Sequence, residues 1–142
     1  MNFEQMSEKL QQIIVKAAEI SRSYGHANVD TIQMLKAIFE DDVLDGLFRR
    51  LNIDKRQSLS TIDAEMGRIA RVSQSNPQLS QEVAQSFDQA QRWAQEHEET
   101  YLSVASVWIA LMFNRSYISK QLVKQFHLKE EQCEEEELKR RG

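Results

Sequence analysis

The chain has 142 residues, the length of one domain at roughly 150 residues per domain, and it can bury about two-thirds of the surface its unfolded form exposes. Eighteen basic and 22 acidic residues leave a net charge of −4, which argues against sequence-independent binding of phosphate backbones as its main task. Four glycines and one proline supply too little turn chemistry for a sandwich or barrel, and the single cysteine excludes an internal disulfide or a thiolate zinc cluster.

No secretory signal is read at Met1–Leu10, which is charged. The first helix follows Ser7 as N-cap. Leu10, Ile14, Ala17 and Ser21 form its stripe, flanked by Ile13, Ile20 and Tyr24, and Gly25 ends it. A second helix starts after Asp30, with Gln33 three residues on as in a capping box. Ile32, Met34, Leu35, Ala37, Ile38 and Phe39 cover most of its circumference, so it is expected to be central. A third helix is predicted over about 43–51, and a fourth after Asp54, through Leu59, Ile62, Met66 and Ile69. The polar run Ser73–Gln78, with the only proline, reads as a connecting loop.

The pattern then starts again. At a shift of 73, Ser7 meets Ser80, Leu10 meets Val83, Ile14 meets Phe87, Ala17 meets Ala90 and Asp30 meets Ser103; Ala37 meets Ala110. Later the shift grows to about 75, where Leu51-Asn52-Ile53 meets Phe126-His127-Leu128. The expected fold is therefore all-α: a pseudo-twofold bundle of about eight helices in two tandem four-helix repeats. One domain, 1–142, comprises a first repeat at about 6–71, a linker at 72–78 and a second repeat at about 79–141. The apolar run Val104–Phe113 is half as long as a membrane span and reads as a buried helix. The segment Lys129–Arg141 reads as a poorly buried last helix, with Leu138 its one large apolar residue and its acids early and bases late along the dipole.

No catalytic centre is evident. The glycines cannot form a phosphate loop, and the three histidines have no zinc spacing. His97 reads as a solvated helix-end histidine, and Cys133, among glutamates, as an inert surface cysteine. Paired acids such as Asp41/Asp42 and Glu98/Glu99 suit capping or solubility. Arg49, Arg50, Lys55, Arg56, Arg68 and Arg71 are interleaved with acids and read as a mixed surface rather than a nucleic-acid face. Trp93 lies on the flank of its helix's core stripe, in line with Ser86 and Gln89. It is either a rim residue of the core, matching Ile20 in the first copy, or a binding anchor, and the two are compatible.

Ser7-Glu8-Lys9-Leu10, Val29–Ile38, Tyr101-Leu102 and Ala110-Leu111, set in two tandem helical units, resemble the N-terminal domain of Clp-type AAA+ unfoldases, and most closely those of the ClpB type. ClpC-type domains carry a Glu after the Thr of each unit to read phosphorylated arginine; here the positions hold Ile32 and Ala105, which favours the ClpB type. The resemblance implies a weak recognition domain for unfolded or aggregated polypeptide in an ATP-dependent disaggregase, cytoplasmic and without chemistry of its own. It implies a monomeric fragment of a hexameric parent, with ATP and magnesium held by ATPase modules beyond Lys139–Gly142 and no cofactor or metal here. Carried over by position, the client groove would use Trp93, bordered by Ser7, Glu99 and Tyr101, with Ser86, Gln89, Ala105 and Ser106 making it more polar than in its relatives. The alternatives are an adaptor- or substrate-docking domain of a ClpC- or ClpA-type protease unfoldase, or a stand-alone helical regulator. Partners are thus unfolded protein segments or adaptors, not nucleic acid or membrane.

Overall fold

The computed structural model describes residues 3–142. A 3-10 turn at Phe3–Gln5 leads into α1 (Glu8–Ser23), α2 (Thr31–Glu40), α3 (Asp45–Arg50) and α4 (Lys55–Met66). The second half supplies α5 (Gln81–Glu96), α6 (Val104–Met112), α7 (Tyr117–Phe126) and α8 (Glu130–Arg141). The helix starts lie where the sequence places caps. Ser7, Asp54, Ser80 and Ser103 each accept, through a side-chain oxygen, the amide of the residue three positions on, at 2.9–3.2 Å. Gln33 Oε1 accepts the Asp30 amide at 2.8 Å. Each bond satisfies a donor that the helix cannot.

The two halves correspond element by element. Helices α1 and α5 both have 16 residues, and α4 and α8 both have 12. Their turns match too. Gly25 and Glu98, at φ 71° and 55°, are left-handed, as are Asn52 and His127 at 56° and 53°. Each sits inside the same helix-ending bond: His26 N–H donates to Ser21 and Glu99 N–H to Ala94, Ile53 to Phe48 and Leu128 to Val123.

The expected all-helical chain gains two short parallel pairings that periodicity does not show. Strand β1 (Asn28–Val29) pairs with β2 (Gln78–Leu79), and Met6 bridges Leu102. At the shift of 73, Met6 corresponds to Leu79 and Val29 to Leu102. Each half therefore lends the residue before its first helix to the segment before the other half's second helix, and the halves are tied by backbone bonds as well as by packing.

The core is built on α2 and α6, which touch each other and whose residues 31–39 and 104–112 are all buried. Ala37 and Ala110 lie here at 0% and 4% exposure, where a small side chain lets helices approach closely. Phe39 stacks on Phe48 at 4.8 Å, and the Trp108 ring meets Phe48 edge-on at 5.2 Å, joining the halves through one aromatic cluster.

Two helices differ from expectation. Helix α3 starts later than residue 43, because Asp41 Oδ1 takes the Val43 amide at 2.8 Å and holds the chain in a turn. Helix α8 is mostly exposed, with two of its 12 residues buried, and it is not Leu138, 40% exposed, that docks it. It faces inward with Cys133 and Glu137, both fully buried. The Glu137 carboxylate is neutralised by Arg140, at 2.8 and 3.0 Å, and by Arg141. Cys133 is accordingly not on the surface. Burial, reinforced by Glu130 and Glu134, pushes its thiol up to about 12.

Candidate functional site

Trp93 projects from the last turns of α5, on the flank of a face that buries Val83, Phe87, Ala90 and Ala94. It is half-buried. The His97 ring, one helical turn on, stacks against it at 4.0 Å, and His97 Nδ1 lies 2.8 Å from the Trp93 carbonyl oxygen. The Arg141 guanidinium stands over the indole at 5.4 Å, a cation–π contact. Arg141 also pairs with Glu99 at 2.8 Å, and Glu99 in turn accepts from Ser106 Oγ at 3.2 Å. The end of α8 thus links Trp93, Glu99 and Ser106 into one network.

Beside that network a cleft of about 280 Å³ opens between α5, α6 and α8. Of its apolar lining Trp93 alone is half-buried, with Ala90, Ile109 and Ala110 buried beneath it; Glu96, Glu130 and Glu134 bring carboxylates to its lining. Burial raises the Glu134 carboxyl above its ordinary value, and Glu130 adds to the rise, while His97 opposes it. Gln89, exposed, lines this cleft and also a neighbouring one of about 460 Å³ that includes Ser86 and Asn114.

The sequence-derived candidates separate into groups. Trp93 and Gln89 reach the cleft. Ser106 lines it but is 3% exposed, its hydroxyl held by Glu99 and Ser103, so it offers little to a ligand. Ala105 is 2% exposed and belongs to the core. Ser86 is equally buried. Its hydroxyl donates to the Glu82 carbonyl at 3.1 Å and accepts from Asn114 Nδ2 at 3.2 Å. These three are corrections to the expected contact surface: a serine that bonds its own helix or cap can enter a core as readily as a rim. Ser7 and Tyr101 lie at another place, the Met6–Leu102 pairing, where the Ser7 amide donates to the Leu102 carbonyl and Tyr101 is 57% exposed. His97, Arg141 and the three glutamates were not foreseen as site residues. The four-residue spacing of Trp93 and His97 was the available signal for the first.

Residues 5–126 match the family model described as the Clp repeat (R) N-terminal domain. The chain belongs to this family. Similar curated proteins include the chaperone protein ClpB of Porphyromonas gingivalis, 26% identical over 117 residues, covering 81% of this chain and 14% of that protein. ClpB of Bacillus anthracis is 27% identical over 145 residues, covering 90% of this chain and 16% of its own length. The chain therefore spans about a sixth or less of these relatives. Among solved structures, the Hsp104 N-terminal domain from Candida albicans is 16% identical with a TM-score of 0.83, covering 97% of this chain and 92% of that one. A ClpV N-domain solved in complex with a VipB peptide is 12% identical with a TM-score of 0.72, covering 90% and 81%. These neighbours share the Clp N-domain fold. Clp N-domains are non-catalytic parts of AAA+ chaperones. Among the described residues, no helix is long and apolar enough to cross a membrane.

Proposed function

We propose that this Clp N-domain captures exposed segments of unfolded or aggregated polypeptide for a cytoplasmic ClpB-type disaggregase, whose ATPase modules lie in the remainder of a hexameric parent. The observation that carries this is the Trp93 cleft. A half-buried indole beside Ile109 and Ala110 gives an extended chain an aromatic surface to lie on, without a deep pocket that would select one side chain. The ClpV N-domain solved with a peptide supports the use of this fold for peptide capture. One aromatic anchor, less the cost of ordering a flexible client, sets the dissociation constant on the order of micromolar or weaker. Such weakness suits a client that must be passed on.

Intrinsic fluorescence tests this directly. Trp108 is fully buried, so a change in tryptophan emission during titration reports Trp93. A reduced, carboxymethylated protein should shift and saturate the emission, and its folded parent should not. A saturating shift with the folded protein alone would instead favour docking of a folded adaptor, for which Tyr101, exposed outside the cleft, offers a second contact.

A further inference from the structure

Building on polypeptide capture at the Trp93 cleft, we infer that the end of α8 is a displaceable cover on that cleft: the domain's own Arg141 occupies the indole in the free state, and an incoming chain releases it together with the last turn of α8. The two halves differ at this place. At the shift of 75, Ile62, Met66 and Gly67 correspond to Glu137, Arg141 and Gly142, and at 73, Ile20 and His26 correspond to Trp93 and Glu99. In the first half Ile20, His26, Ile62 and Met66 are all buried, and His26 hydrogen-bonds the Met66 backbone. The end of α4 is thus fixed by apolar burial.

The end of α8 is held by charge instead. Its last turn has no apolar anchor, since Leu138 is 40% exposed. Arg141 ties it to the cleft, through an ion pair with Glu99 at 2.8 Å, a second with Glu137, an Nη2 3.4 Å from Ser103 Oγ, and the guanidinium over Trp93. The Arg141 side chain is 28% exposed, so solvent screens these contacts and can replace them. His97 is less free to leave the indole, because it stacks from the next turn of the same helix and its Nδ1 lies against the Trp93 carbonyl. Release of Arg141 does not orphan the buried Glu137 carboxylate, which keeps both bonds from Arg140, at 2.8 and 3.0 Å. An apolar side chain arriving at the indole therefore competes with a cation that can move aside into water. Capture and docking of the last turn are alternatives, and their coupling is reciprocal: each weakens the other by the same factor.

Binding of the reduced, carboxymethylated protein to the 142-residue chain, to Arg141→Gln and to Glu99→Gln tests this, at physiological salt and with circular dichroism on each sample. Removing the cover raises the fraction of open cleft, so Arg141→Gln should bind at least about threefold more tightly, and Glu99→Gln, which loses only an ion pair of the cover, about twofold. The two variants change the charge in opposite directions, so tightening by both is not a charge effect. Amide hydrogen exchange on the unmodified chain gives a reading that needs no variant. Saturating client should speed exchange at residues 139–141 by about threefold or more, while the last turn of α4 stays unchanged. Unchanged or weaker binding by folded Arg141→Gln, or unchanged or slower exchange at the end of α8, would overturn the displaceable cover and leave capture standing. Failure of all three chains to bind the denatured protein would overturn capture itself, on which the cover rests.

Discussion

Glu98 occupies a left-handed position, φ 55°, that the first half assigns to Gly25. The side chain is exposed and forms no ion pair among the described residues, so little is lost when it is removed. A non-glycine residue there carries about 1–2 kcal/mol of steric cost. Glycine relieves it but loses about 0.5–1 kcal/mol through the freedom of the unfolded chain. Removing a negative charge from the C-terminal end of α5 adds a few tenths of a kcal/mol, at most about 1. Glu98→Gly should therefore stabilise by about 0.5–1 kcal/mol. With an unfolding entropy near 2.1 cal/mol/K per residue, that is a rise in melting temperature of roughly 2–3 °C for a chain this long. Calorimetry would read it, with Glu98→Gln isolating the charge contribution. The mirror substitution Gly25→Ala carries the same steric cost, less the about 0.5–1 kcal/mol gained by restricting the unfolded chain, and should destabilise by about 0.5–1 kcal/mol. Its Cβ would meet nothing closer than 3.5 Å, at Arg71, so the penalty is conformational rather than steric crowding. A lowered melting temperature for Glu98→Gly, or an unaffected one for Gly25→Ala, would refute the matched turn geometry.

Ala37 is fully buried in α2, so Ala37→Leu should overpack and cost about 1–3 kcal/mol by denaturant titration, and a neutral result would place it outside the core. Ala110→Leu should cost less, because Ala110 also lines the cleft and the longer side chain can extend into it. Cys133, with its thiol pushed up to about 12, should resist iodoacetamide at pH 8 in the folded protein and react on unfolding; rapid native labelling would contradict its burial. His26 is buried, with Nδ1 2.9 Å from Gln33 Nε2, and burial lowers its pKa below 6.5. The unfolded state then binds the proton more tightly, so stability is full above the unfolded value and declines as pH falls through about 6.5 toward the folded one. His26→Asn should flatten that slope between pH 7.5 and 5.5; an equal slope would show that other groups cause it.

Much of the framework was legible because caps and stripes are local. Ser7, Asp30, Asp54, Ser80 and Ser103 each precede an apolar period, and each starts a helix. What escaped depends on partners far along the chain. Two-residue strands have no period, so the Met6–Leu102 and Val29–Leu79 pairings left no trace in the hydrophobic pattern. Glu98 and His127 adopt left-handed turns without the glycine that signals one. In α8 the inward face is a cysteine and a glutamate, the latter neutralised by arginines three and four residues on, so charge concealed a buried stripe. At the site, the aromatic on the flank of α5 was visible. Of the acids on the cleft, Glu130 and Glu134 come from α8, and only the tertiary fold brings them there.

Trp93 is the proposed anchor of captured polypeptide. The most direct measurement is the affinity of the Trp93→Ala variant for a reduced, carboxymethylated protein, with circular dichroism recorded on the same sample. Loss of the indole should weaken binding by about 1–2 kcal/mol, roughly five- to thirtyfold, with the helical spectrum intact. Unchanged affinity in the folded variant would contradict the claim and remove the cleft from client capture.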